Sequence, residues 1–128
     1  MFFAKGQLKI LPKTLQKELE LFYEKYEKVH ESYDKEKKID IEMIGCVIYS
    51  LNLYLKWEKK VNKNVRDLMS EAIGEIPIMI MIDKIKLSKE IEEIINPLID
   101  IDVSHANLHI NRKKLILDVL RKLEELKK

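Results

Sequence analysis

The segment from Ile41 to Lys60, IEMIGCVIYSLNLYLKWEKK, constrains the fold more than any other stretch of the chain. Placed on a helix, it is apolar along two stripes and polar along only the third. The two apolar stripes are Ile44, Ile48, Leu51 and Leu55, and Met43, Cys46, Leu53 and Trp57 with Ser50 among them. A helix that is apolar on two sides is usually enclosed by neighbours on both. The segment therefore predicts the buried central helix of a small bundle, with Asp40 as its N-cap.

A long helix is predicted before this segment, from Pro12 to an end in the charged run Asp34–Lys38. Its apolar residues recur at alternating steps of four and three, which is typical of a narrow coiled-coil seam. These residues are Leu15, Leu19, Phe22, Tyr26, Val29 and Tyr33. At 1.5 Å per residue, about 22 residues would span about 33 Å, which is long for a chain of 128 residues.

Further helices are predicted after the central segment. A third helix would start at Asn64 as N-cap, with Asp67 completing an arrangement close to a capping box. The apolar run Ile76–Ile82 fits either a buried strand or a kinked continuation of this helix, and we favour the helix. Ser88 would cap a short helix that Asn96 and Pro97 end, and Asn111 would cap the last helix.

Two segments show strand-like alternation. Leu8 and Ile10 alternate with polar residues in the N-terminal segment, which we interpret as an edge strand or an arm. Alternation also runs through residues 98–110, where the SHAN sequence can turn, and this fits a small β-hairpin that the bundle or the arm would have to cover.

Composition supports a mainly helical chain, because three glycines and three prolines leave few tight turns and little linker. The fold class that we predict is mainly α, a bundle of four or five helices with a long first helix and a buried second helix. We allow for a small β-hairpin near residues 98–110. At 128 residues the chain is most simply a single helical domain, residues 1–128.

Charge and apolar content narrow the function classes. The net charge of +2 gives no global argument for a nucleic-acid or membrane partner. The longest nearly apolar run, Met43 to Leu55, is shorter than the roughly 20 residues that a membrane span needs. Cys46 is the single cysteine and cannot form an internal disulfide, and the N-terminus lacks a signal-peptide pattern. We therefore predict a cytoplasmic protein without a membrane partner.

The motifs of common enzymes are not present in the sequence. There is no glycine-rich phosphate loop, no paired-cysteine zinc pattern and no nucleophile elbow. His105 and His109 are four residues apart and follow Asp100 and Asp102, but Ala106 stands where the metalloprotease motif needs glutamate. We interpret these four residues as surface groups and keep a metal site as a minor alternative. The prediction is a non-enzymatic protein with no cofactor and no metal.

The aromatic part of the long seam is our first candidate binding site. A helix of this length can project beyond its neighbours, and the exposed part of its seam then needs a partner chain. The predicted interaction seam is Phe22, Tyr26, Val29 and Tyr33. The corresponding function is a helical protein-interaction module of a small regulatory, adaptor or immunity type, which binds another protein or forms a homodimer.

Two basic segments indicate an alternative function. Residues 56–66 carry five cations, and residues 112–114 place three cations at a helix N-terminus, where the helix dipole disfavours them. Such a start of a helix can receive phosphate, and Trp57 or Tyr54 could stack on a base. The alternative is a nucleic-acid-binding regulator or accessory subunit, and it requires the two segments to converge on one face. Its candidate residues are Lys59, Lys60, Lys63, Arg66, Arg112, Lys113 and Lys114.

Overall fold

The computed structural model describes residues 11–33, 40–102 and 111–127. These residues form helices and turns and contain no strand, so the prediction of a mainly helical chain is confirmed. In chain order the elements are α1 (Lys13–Tyr33), α2 (Asp40–Trp57), α3 (Lys63–Ile82), α4 (Lys89–Ile95), a 3-10 helix (Asn96–Leu98), α5 (Ile99–Asp102) and α6 (Arg112–Lys127).

Helix α2 is the centre of the fold, as its two apolar stripes predict. It packs against α1, α3 and α6, and Met43, Val47 and Leu51 have no solvent-exposed surface. The polar stripe faces outward, because Glu42 and Asn52 are exposed. The helix begins at Asp40, within a residue of the predicted cap.

Helix α1 follows the predicted seam closely. It has 21 residues, against the 22 expected, and its seam residues from Leu15 to Val29 are buried. The backbone N–H of Gln16 donates to the carbonyl of Pro12 at 2.9 Å. The Gln16 side chain donates to the carbonyl of Leu11 at 2.6 Å. The proline, which lacks an N–H of its own, thus precedes the first helical residue without loss of a helical bond.

Helix α3 continues through the ambiguous run Ile76–Ile82 and includes Pro77 within its length. The preference for a helix is therefore confirmed. The predicted cap was wrong, because Asn62 and not Asn64 is the N-cap, with its side-chain oxygen accepting from the Val65 N–H at 3.0 Å. Both asparagines suit a cap. Position 62 has the extended backbone that a cap requires, whereas Asn64 already lies inside the helix.

The predicted hairpin disagrees with the structure where the two can be compared. Ile99–Asp102 form α5, not a strand. The buried residues of this region recur at steps of four, three and three: Ile91, Ile95, Leu98 and Ile101. The helical spacing therefore continues past Pro97 into the residues whose alternation resembles a strand. Pro97 is tolerated because it lies in the first turn of the 3-10 helix. Residues 103–110 and the predicted arm or edge strand at residues 1–10 lie outside the described residues.

The last helix begins as predicted. Asn111 accepts from the N–H of Lys114 through its side chain at 3.1 Å. Along α6, Val119 and Leu120 are both buried, with under a tenth of their surface exposed. Within the described ranges, no helix is long and apolar enough to cross a bilayer.

Candidate interaction surfaces

The predicted interaction seam lies in the chain's own core. Phe22, Tyr26 and Val29 are at most 5% exposed, because α2 lies along this side of α1. Tyr33 is the last residue of α1, and its side chain lies outside what the structure describes. Helical periodicity identified the apolar face of α1 correctly. In the structure α2, and not a partner chain, covers this face. In this fold these three side chains present no surface for another protein.

The two basic segments meet at the turn between α2 and α3. Lys113 forms an ion pair with Glu58 at 3.0 Å, and Arg112 pairs with Asp67 at 2.7 Å. The first pair joins the start of α6 to Glu58, just past the end of α2, and the second joins it to the second turn of α3. The two basic segments are therefore adjacent in the fold.

The arginines at this junction hold the fold together. Arg66 donates through Nη1 to the backbone carbonyls of Val61 at 2.7 Å and Glu58 at 3.2 Å, which satisfies acceptors just past the end of α2. Burial by itself raises the pKa of Asp67. The hydrogen bond and charge of Arg112, with the nearby Lys63, outweigh burial and hold this pKa below its ordinary value. Arg66 and Arg112 are therefore less available to phosphate than sequence reasoning assumed.

The lysines around the same junction remain accessible. Five of the candidate residues are exposed lysines, and we call this set the basic surface: Lys59, Lys60, Lys63, Lys113 and Lys114. Part of it rims a shallow groove of about 440 Å³ whose lining includes Leu55 and Leu117. The predicted base-stacking aromatics are less accessible. Tyr54 is buried, and the ammonium groups of Lys56 and Lys60 lie 5.9 Å and 5.6 Å from the centre of the Trp57 ring.

A surface that sequence reasoning did not single out lies at the C-terminal end of α3. Met81 is 70% exposed, Ile82 62% and Ile99 42%. Ile78 shares the helical face of Met81 and Ile82, because it precedes them by three and four residues. We call these four residues the apolar surface. Met81, Ile99 and Ile78 also line an open groove of about 540 Å³. The sequence feature that could have predicted this surface is the continuous apolar run Ile76–Ile82, because in a small domain a helix that is apolar on all sides is rarely buried on all of them.

The end of α3 next to this surface is built by a Schellman motif. The N–H of Ile85 donates to Ile80 and that of Lys84 to Met81, at 3.0 and 3.2 Å, which is the bonding pattern of that motif. Lys84 takes the left-handed position with a φ of 56°, where glycine is the usual residue. Lys84, Lys86 and Glu92 line the groove beside the apolar residues, so charges of both signs border it.

The candidate metal residues are only partly described. Asp100 is exposed on α5, the Asp102 side chain is not described, and His105 and His109 lie outside the described residues. In the ranges that the structure covers, no group of three or more histidine, cysteine or acidic residues is placed to hold a metal ion.

No protein-family model matches this sequence, and no curated protein or solved structure is significantly similar to it.

Proposed function

We propose that this protein is a non-enzymatic interaction module whose apolar surface binds a second copy of the chain. The observation that carries the proposal is the exposure of Met81 and Ile99 along one groove, with the exposed Ile82 next to Met81 in the chain. Large apolar side chains that lie together on a surface are typical of protein-binding sites. A few such residues in a groove can supply most of the binding energy of an interface.

The charges around the groove favour a second copy as the occupant. Lys84 and Lys86 line it together with Glu92, so a partner of a single charge sign would meet repulsion at one side. In a two-fold dimer each surface contacts its own equivalent, and every contact occurs twice. Such an arrangement can place the lysines of one copy against Glu92 of the other. A second copy therefore satisfies both the apolar and the charged parts of the site.

The backbone at Lys84 supports the same proposal. A residue other than glycine in the left-handed region costs about 1 kcal/mol or more. The two hydrogen bonds of the Schellman motif offset part of this cost, and among the described residues the lysine side chain forms no ion pair. Backbone strain retained at a binding site is common where the side chain serves recognition. In the proposed dimer, Lys84 contributes to the charged border of the interface.

Light scattering after size exclusion tests the self-association, at low and at high salt. We expect a dimer that persists in high salt, because apolar burial is not screened by ions. Met81→Glu should weaken the dimer by about 100-fold or more, because it buries an unpaired charge in the interface. Leu21→Glu is the matched control, since Leu21 is 48% exposed on α1. A monomer at every concentration, or equal effects of the two variants, would reject the proposal.

A second candidate function is nucleic-acid binding by the basic surface. The observation that favours it is the ion pairing of Lys113 with Glu58 and of Arg112 with Asp67, which brings both basic segments to one junction. The exposed lysines suit contacts to the phosphate backbone. Because Trp57 is covered by two lysines, base stacking contributes little to this function, and binding should depend weakly on sequence.

Fluorescence anisotropy with labelled single-stranded and duplex oligonucleotides tests this second function across a salt series. We expect the double variant Lys59→Gln, Lys114→Gln to lower the salt slope by about 2, because each lysine that no longer binds a phosphate lowers it by about 1. The double variant Lys13→Gln, Lys17→Gln on α1 is the charge-matched control. No binding at low salt, or the same slope for both double variants, would exclude the basic surface as a nucleic-acid site.

The two candidate sites can be tested independently because they lie at opposite ends of α3. Lys63 and Met81 are separated by 18 residues of helix, or about 27 Å. Met81→Glu should therefore leave oligonucleotide binding unchanged, and the lysine variants should leave the oligomeric state unchanged.

A further inference from the structure

A third feature, independent of both surfaces, is the glycine in the middle of α2. A Cβ added at Gly45 would meet no atom within 4 Å, so packing within the described chain does not require a glycine. Glycine inside a helix costs about 1 kcal/mol relative to alanine. No described residue gives a steric reason for this cost, and the close approach of a ligand to the backbone is one reason for a glycine inside a helix.

The space beside Gly45 is a cleft between α1 and α2. Its volume is about 530 Å³, within the range of about 300 to 1,000 Å³ that is typical of small-molecule sites. Lys25 and Lys28 of α1 line it opposite Glu42 and Asn52 of α2. The cleft is therefore lined by two cations, a carboxylate and an amide.

One wall of the cleft is held in place before any ligand binds. The Tyr49 hydroxyl donates to the backbone carbonyl of Glu18 at 2.9 Å, which fixes its ring against α1. The ammonium of Lys25 lies over this ring, 5.4 Å from its centre, and a cation in this position is attracted by the face of the ring. This interaction holds the Lys25 charge at the cleft and lowers the entropy cost when an anion binds there.

We propose that the cleft binds a small organic anion, with its phosphate or carboxylate group at Lys25 and Lys28 and its body directly over Gly45. Lysine ammonium groups bind anions as point charges and suit either group. Asn52 and Glu42 accept hydrogen bonds from hydroxyl or amino groups elsewhere on the ligand. The missing side chain at position 45 lets the ligand body contact the backbone of α2.

Calorimetric titration of the full chain with AMP and with citrate tests this site and separates its two chemistries. Binding of AMP alone assigns a phosphate ligand, and binding of citrate alone assigns a carboxylate ligand. Lys25→Gln should weaken binding about tenfold or more, the size expected for removing a bond to a charged group. Lys17→Gln on the same helix is the control and should bind like the wild type. If neither AMP nor citrate binds, or if Lys25→Gln has no effect, the proposal is overturned.

Gly45→Ala is the decisive variant because it should raise the stability of the protein and lower its affinity for the ligand. Without ligand, the alanine should raise the melting temperature by about 3 °C, since it improves the helix and meets no neighbour. Its methyl group occupies the space of the ligand body, so binding of the active probe should fall by about tenfold or more. A stabilised variant that still binds with wild-type affinity would place the ligand elsewhere and overturn the proposal.

Discussion

The hydroxyl of Tyr26 donates to the carboxylate of Asp83 at 2.6 Å, across 57 residues of sequence. Tyr26 lies in the buried seam of α1, and Asp83 is the C-cap of α3. This bond joins the long first helix to the end of α3, directly beside the apolar surface. Burial, followed by the bond to Asp83, raises the pKa of Tyr26 far above its ordinary value. The tyrosine that helical spacing assigned to a partner is therefore a link within the chain.

Removing this link should destabilise the protein without changing its packing. We expect Tyr26→Phe to lower the free energy of unfolding by about 1–2 kcal/mol, the size of a hydrogen bond to a charged group. Urea denaturation followed by circular dichroism measures this decrease. Asp83→Asn is the control, because its side-chain carbonyl can still accept the bond, and it should cost less. A Tyr26→Phe variant as stable as the wild type would show that the bond contributes nothing.

Apolar periodicity was sufficient to predict α1, α2 and the buried positions along them. It works because a side chain's position on a helix follows from spacing alone. Periodicity cannot say which element covers an apolar face, however, and the cover decides whether Phe22 and Tyr26 are core or interface. The opposite occurs at Met81 and Ile82. The apolar run Ile76–Ile82 has the composition of a buried segment, yet these two side chains are exposed.

Local signals were less decisive where two residues could serve equally. Asn62 and Asn64 are chemically identical caps, and only the path of the turn selects one of them. In residues 98–102, a few alternating residues were compatible with both a strand and a helix. The helical spacing of apolar residues that begins in α4 and continues through these residues predicts the observed helix correctly. The lysine positions that shape the cleft over Gly45 require the packing of α1 on α2, which no single helix predicts.

The capping assignment can be tested with a matched pair of substitutions. Asn62→Ala removes the side-chain oxygen that accepts from Val65 and should cost about 1 kcal/mol of stability. Asn64→Ala replaces an exposed residue inside the first turn, where alanine favours the helix, and should leave stability equal or slightly higher. Thermal unfolding of both variants measures the difference. The reverse order of stability would restore Asn64 as the cap.

The Cys46 thiol should be unreactive in the folded protein. It is 3% exposed, and burial raises its pKa to about 12, despite the opposing charge of Lys25. Since the thiolate is the reacting species, we expect labelling by Ellman's reagent at neutral pH to be about 1,000-fold or more slower than in denaturant. Absorbance of the released thionitrobenzoate follows the reaction. Rapid labelling of the folded protein would show that α1 and α2 separate frequently.

Acid should weaken the junction between α3 and α6 through Asp67. The pKa of this carboxyl is held below its ordinary value of 3.8 in the folded chain. Its ion pair with Arg112 therefore contributes stability above pH 3.8. That contribution disappears as the pH falls from there through the lower folded-state pKa. Asp67→Asn cannot titrate, so it should be less stable than the wild type at neutral pH by about 1–2 kcal/mol.

Urea unfolding of the wild type and Asp67→Asn at a series of pH values measures this difference. We expect the two free energies of unfolding to approach each other below about pH 4, because the protonated aspartic acid no longer pairs with Arg112. Asp118→Asn, a change of the same chemistry within α6, controls for the effect of net charge. A stability gap between wild type and Asp67→Asn that stays constant down to low pH would mean that Asp67 stabilises the junction through its shape and hydrogen bonding, and not through its charge.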